Sequence, residues 1–256
     1  MKTKILNSLL FSLIVSVAAA ADTASLAEAE TKIESAALRV DAGLLTPQVE
    51  MIEKELAAAP ADPALNYFRA LAHYAEGSLA RAQKDPKKAA TQFEAAVKNL
   101  EQVKNGPWEI EAIAFRGYLL NQLIGVKGSM AAMSLGPKSG SLLGQASGRA
   151  PENPRVMFFQ GVSLVTTPEM FGGDIVAGTK LLERADAAFD KQAKDAVVHW
   201  GHAEALAWLG IAKKKSGDLD GARKAWERAL AVEPEYGWVK YVLLPSLEKP
   251  AAKSSK

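Results

Sequence analysis

The sequence contains no cysteine. That absence excludes disulfides, a thiol nucleophile and thiolate-ligated metal, and it excludes an envelope anchor built on a cysteine thioether. Histidine is scarce, with three residues in the chain. His199 and His202 lie three apart, but a zinc pair of this type normally has a catalytic Glu between its histidines and a third ligand, and here Trp200 and Gly201 stand between them. No metal and no cofactor is expected. The chain has no phosphate-cradling glycine loop, no dinucleotide fingerprint and no Gly-x-Ser-x-Gly elbow. It therefore reads as a non-enzyme, with an envelope hydrolase the least favoured alternative. Runs of alternating β-branched residues are also missing, so no strands are expected.

Charge of one sign is lacking too. The chain carries 31 basic and 29 acidic residues, and two of the lysines, Lys2 and Lys4, open the N-terminus. A mostly apolar run from Ile5 to Val17 follows, then small residues from Ala18 to Ala21. This is the form of a secretory leader, and the apolar run is shorter than the roughly 20 residues that span a bilayer. Residues 1–21 are read as a signal peptide, with the mature chain starting at Ala21 or Asp22. The expected location is the periplasm or the medium, with no membrane anchor after cleavage. Without the leader the two signs balance, and no basic stripe interleaved with aromatics occurs, so nucleic acid is disfavoured as a partner.

What the chain does have is helical periodicity with turn punctuation. In residues 203–236, Leu206, Leu209 and Ala212 form one apolar stripe, and Ala222, Trp226, Ala229 and Leu230 form a second. Ser216-Gly217-Asp218 supplies a turn and an N-cap between them, and Pro234 ends the unit. Gly210 lacks a side chain, which permits close approach of the facing helix. This stretch resembles the tetratricopeptide repeat, a helix hairpin with a W-x₂-L-G-x₂-Y, A-x₃-F and terminal Pro pattern. Leu206 and Lys213 replace the usual Trp and Tyr.

Weaker copies precede it. In residues 154–187, Met157 and Gly161 precede Asp174, Gly178, Leu182 and Ala185 at matching spacing, with extra length in 167–173. Residues 111–151 place Ile113 and Gly117 on a first helix, and Leu143 and Ala146 on a second, with a long link through Gly128, Gly136, Pro137 and Gly140. Residues 64–103 stripe Tyr67, Ala70, Leu71 and Tyr74, then start a second helix at Asp85-Pro86 that carries Ala89, Phe93 and Ala96. Leu26, Ala29, Ile33 and Ala37 predict an N-terminal helix, and Thr46-Pro47 predicts the start of its partner. Trp238, Val242 and Leu243 predict a C-terminal capping helix. The expectation is one domain over 22–247 and a tail over 248–256. Its fold class is all-α, a right-handed solenoid of helix hairpins.

The resemblance implies a protein-interaction scaffold whose concave groove holds a protein or peptide partner. Phe68, Tyr118, Asn121, Gln122, Arg155, Phe158, Lys214 and Lys215 lie off the packing stripes of the first helices and are the expected groove residues. The long turns of the first three hairpins are expected along one edge, with Phe171 as a lid on the core or a partner contact. The turn over 168–174 and the run over 181–185 are similar to tetratricopeptide accessory components of tripartite ATP-independent periplasmic transporters, which implies an accessory transport subunit as the alternative.

Overall fold

The computed structural model describes residues 23–248, and both the leader and most of the predicted tail lie outside them. Helices α1 (Thr23–Arg39) and α2 (Ala42–Ala58) precede four hairpins. These are α3 (Pro63–Ala82) with α4 (Pro86–Leu100), α5 (Glu109–Lys127) with α6 (Ser129–Arg149), α7 (Pro154–Thr166) with α8 (Ile175–Phe189), and α9 (His202–Lys215) with α10 (Leu219–Val232). The architecture is an all-α solenoid, and no strand occurs among the described residues.

Local chemistry sets the helix starts. The side chains of Asp62, Asp85, Asp174 and Asp218 each accept from a backbone N–H in the first turn of the helix that follows, as does Asn153 for α7. Pro63, Pro86 and Pro154 occupy first-turn positions, where a missing N–H costs nothing. α2 begins earlier than Thr46-Pro47 suggests, because Asp41 captures the N–H of Gly43 at 2.8 Å. Pro47 then sits inside the helix.

Each hairpin is closed by the same contact. A β-carbon on Gly77 would overlap Phe93, one on Gly117 would lie 2.8 Å from Leu143 Cγ, one on Gly161 would lie 2.8 Å from Leu182 Cγ, and one on Gly210 would overlap Trp226. A glycine on the first helix thus seats a large side chain of the second, and helix axes approach closely. Gly77 joins the three glycines expected from the spacing, standing sixteen residues before Phe93 as Gly210 does before Trp226.

Two of the three long links are absent. The first hairpin turns within 83–85 and the second at Gly128 alone, where φ is +88°. α6 continues unbroken through Gly136, Pro137 and Gly140; Pro137 is on its solvent face, and the buried Ser139 hydroxyl donates to Gly117 O at 2.8 Å. Only the third hairpin has an enlarged turn. There Glu169–Phe171 form one 3-10 turn, and Gly172 is left-handed.

At the C-terminus the predicted cap is a π-helical turn, Val239–Leu243, followed by a 3-10 turn, Leu244–Leu247. Val239 and Leu243 are buried against the last hairpin, while Val242 faces solvent.

Candidate functional site

The first helices of the hairpins, α3, α5, α7 and α9, line the inner side of the solenoid. Their side chains meet there. Tyr74 of α3 and Tyr118 of α5 each donate their hydroxyl to Glu204 Oε1 of α9 at 2.6 Å. The first, second and fourth hairpins are joined by one buried carboxylate, whose pKa burial pushes above the usual carboxylate range against the two hydroxyl donors. Around it the rings of Tyr118 and Phe159 stack at 4.5 Å, and those of Phe115 and Trp200 lie 4.9 Å apart. The Trp200 indole donates to Tyr67 OH at 3.1 Å.

α1 fills what remains. Leu26, Ala29, Ile33 and Ala36 are buried, and Leu38 packs in one cluster with Leu206 and Tyr236 of the last hairpin region. Glu30 accepts from the backbone N–H groups of His199 and Trp200 at 2.6 and 3.1 Å. Glu34 accepts from Gly201 N at 2.8 Å. Burial, together with the nearby Glu30 and Glu204 charges, pushes the Glu34 carboxyl up to about 7. Farther along α1, Ser35 and Arg39 donate to Glu233. One helix therefore ties the start of the solenoid to its end.

The expected groove is consequently not an open surface. Phe68, Tyr118, Gln122, Arg155 and Phe158 are buried, with exposures of 2, 0, 6, 1 and 0%. Asn121 is half-buried. A position off the packing stripe of its own hairpin faces a groove only where the solenoid stays open. In this tightly closed arrangement the second face of each first helix is packed as well. Gln122 accepts from Arg81 at 2.6 Å. Arg155 donates to both oxygens of Glu111 at 2.8 Å and to Trp200 O at 3.2 Å, which makes it a structural bridge between α5, α7 and the segment before α9. Lys214 donates to Ser246 at 2.6 Å, and the exposed Lys215 donates to Val165 O at 2.9 Å.

Phe171 is not a lid on the core. It is 72% exposed and Met170 is 83% exposed. Hydrogen bonds from Phe171 N and Gly173 N to Pro168 O, and from Asp174 N to Leu164 O, hold the turn in a fixed shape that aims both side chains outward.

The histidines hold charge networks. His202 Nε2 lies 2.9 Å from Asp186 Oδ1, and Asp190 completes a group of three possible ligands. The Arg228 guanidinium pairs with both carboxylates, so ion pairs join α8 to α10, and the His202 contact adds α9. His199 is exposed beside Glu30, and His73 contacts Glu76 and Gln92.

A family model for the tetratricopeptide repeat matches residues 203–236. No curated protein matches the sequence. Among solved structures, the HusA haemophore from Porphyromonas gingivalis aligns with a TM-score of 0.48 at 21% identity, over 76% of this chain and 92% of that one. MamA 41-end from Desulfovibrio magneticus RS-1 aligns with a TM-score of 0.35 at 13% identity, over 83% and 97%. Neither likeness extends to function. Residues 203–236 match the tetratricopeptide repeat, and they form the last of four helix hairpins in an all-α solenoid.

Proposed function

We infer that this chain is an exported, non-enzymatic scaffold of the periplasm that binds a protein partner on its outer surface. Export rests on the leader-like form of residues 1–21. The outer-surface contact rests on the filled inner face: Tyr74, Tyr118 and Glu204 meet where an open solenoid would hold a peptide. Partner contacts then fall to the outer helix faces. The solvent face of α6 is the best suited. Between Ser129 and Gly148 its only charged residue is Lys138, and Gly140, Gly144 and Gly148 leave bare backbone with open space around them. A smooth, weakly charged helix face suits another helix lying against it. The accessory-transport reading rests on the turn over 168–174 and makes the partner a solute-binding protein.

In-cell photo-cross-linking from position 144, with mass spectrometry of the trapped products, tests both halves. The expected result is one dominant protein adduct on a chain beginning at Ala21 or Asp22. An intact Met1 refutes export with cleavage, and the absence of any specific protein adduct refutes the α6 contact.

A further inference from the structure

The four hairpin turns that connect a first helix to a second share one edge of the stack. Consecutive hairpins pack side by side, and Lys215 at the end of α9 reaches Val165 O at the end of α7. That edge comprises the last three residues of each first helix, the turn, and the first six residues of the second helix: 80–91, 125–134, 164–180 and 213–224. Two independent properties coincide on it.

The first is apolar exposure. Met130, Met133, Met170 and Phe171 are exposed by 80, 79, 83 and 72%, more than any other large hydrophobic among the described residues. Val176 and Leu219 join them at 63 and 50%. Such side chains are costly in water, and gathered on one edge they mark a contact surface. The second is charge. These four segments hold eleven Lys and Arg against five acids, whereas the rest of residues 23–248 holds fifteen against twenty-three. Three of the five acids, Asp85, Asp174 and Asp218, are helix caps whose carboxylates already accept backbone N–H groups. Lys127 and Lys213 are paired with Glu94 and Glu183 outside these segments, and the remaining nine cations still exceed the five acids, so the edge is positive on a chain that is otherwise negative.

Exposed methionine and phenylalanine flanked by lysines on one edge is the chemistry of an interfacial contact with anionic lipid. The apolar tips enter the headgroup boundary, and the cations meet the phosphates. We propose that this edge docks on an anionic membrane surface, with Met170 and Phe171 as the inserting tip and Lys84, Lys87, Lys88 and Lys224 among the cations that orient it. The contact is peripheral: among the described residues no helix is long and apolar enough to cross a membrane. The rigid turn beneath Phe171 adds preorganisation, because its backbone bonds are already made before contact. Docking by this edge leaves the outer face of α6 beyond its first turns free, so the proposal stands apart from the protein-partner reading.

The lack of cysteine makes the test direct. The full chain carrying Phe171→Cys is labelled with an environment-sensitive fluorophore, and a second chain carries the label at Gln102→Cys, an exposed position on the opposite edge. Each is mixed with phosphatidylglycerol-containing vesicles or with phosphatidylcholine vesicles. The expected result is a blue shift at 171 with phosphatidylglycerol, reversed by high salt, and little shift at 102. The Met170→Ser/Phe171→Ser variant, whose changes touch only exposed side chains, is expected to lose most vesicle co-sedimentation while keeping its melting temperature. No shift at 171, equal shifts at 171 and 102, or equal shifts with both lipids would overturn the proposal. Undiminished co-sedimentation of the double variant would overturn it as well.

Discussion

Gly210 of α9 and Trp226 of α10 meet in a close helix contact within the last hairpin. The indole lies where a β-carbon on residue 210 would stand, and its N–H donates to Ala207 O at 2.9 Å. Trp226 is fully buried, so both its volume and its donor are satisfied inside the hairpin. Gly210→Leu is expected to cost about 1–3 kcal/mol through overpacking. Trp226→Ala is expected to cost about 3–5 kcal/mol through the cavity. Urea denaturation of both variants checks this. Wild-type midpoints for both would show that the pair does not hold the hairpin.

Arg155 and Glu111 are 1 and 3% exposed and paired through two hydrogen bonds. Glu111→Ala strands a buried guanidinium and is expected to destabilise the fold by about 3–5 kcal/mol. A Glu111→Leu/Arg155→Met double variant removes both charges and is expected to recover most of that loss. A double-mutant cycle measures the coupling, and simple additivity of the single changes would count against a paired role.

Burial and the Glu30 and Glu204 charges disfavour the ionised form of the Glu34 carboxyl and push it up to about 7 in the folded protein, from 4.5 for an ordinary glutamate. The backbone N–H of Gly201 and the Arg155 charge oppose that shift without cancelling it. A raised carboxyl means that the folded state holds its proton more tightly than the unfolded chain. The resulting stabilisation is complete below the unfolded value and is lost as pH rises through about 7. Glu204 is shifted in the same direction. The melting temperature is therefore expected to be higher near about pH 5 than near about pH 8, and Glu34→Gln should flatten that slope. An unchanged slope in the variant would place the effect elsewhere.

Gly140 and Gly144 are helical, lack a positive φ, and have open space where a β-carbon would stand. Replacing each with Ala is expected to stabilise the chain by about 0.5–1 kcal/mol through reduced unfolded-state entropy and better helix propensity. Thermal melts of the single and double variants check the sign. A loss of stability would mean that a bare backbone is needed there within the monomer.

Much of the hairpin series is legible in the residues. Asp85, Asp174 and Asp218 cap the predicted helices, and Gly117, Gly161 and Gly210 face the predicted Leu143, Leu182 and Trp226. These are local relations, fixed by helix period and by the hydrogen bonds of a first turn. The link after α5 is not legible in the same way, because glycine and proline in 136–140 signal a break only where no tertiary contact holds the helix. There the Ser139 bond to Gly117 and the solvent-facing Pro137 leave α6 unbroken, and the chain turns at Gly128 instead.

The sequence by itself determined which segments become helices, where most of them start and which pairs close into hairpins, since those choices depend on residues within about thirty positions of one another. Only the tertiary structure decided how far the hairpins curl. Periodicity marks a face as apolar but does not say what it meets. A signal was present: α3, α5 and α7 are apolar on more than one face, as helices buried all round are. The closure itself depends on Tyr74 meeting Glu204 and on Glu34 meeting Gly201, contacts separated by 130 and 167 residues. Burial of the inner aromatics and of α1 favours that closure, and it turned the expected groove into core while leaving the turn edge and α6 as outward-facing surface.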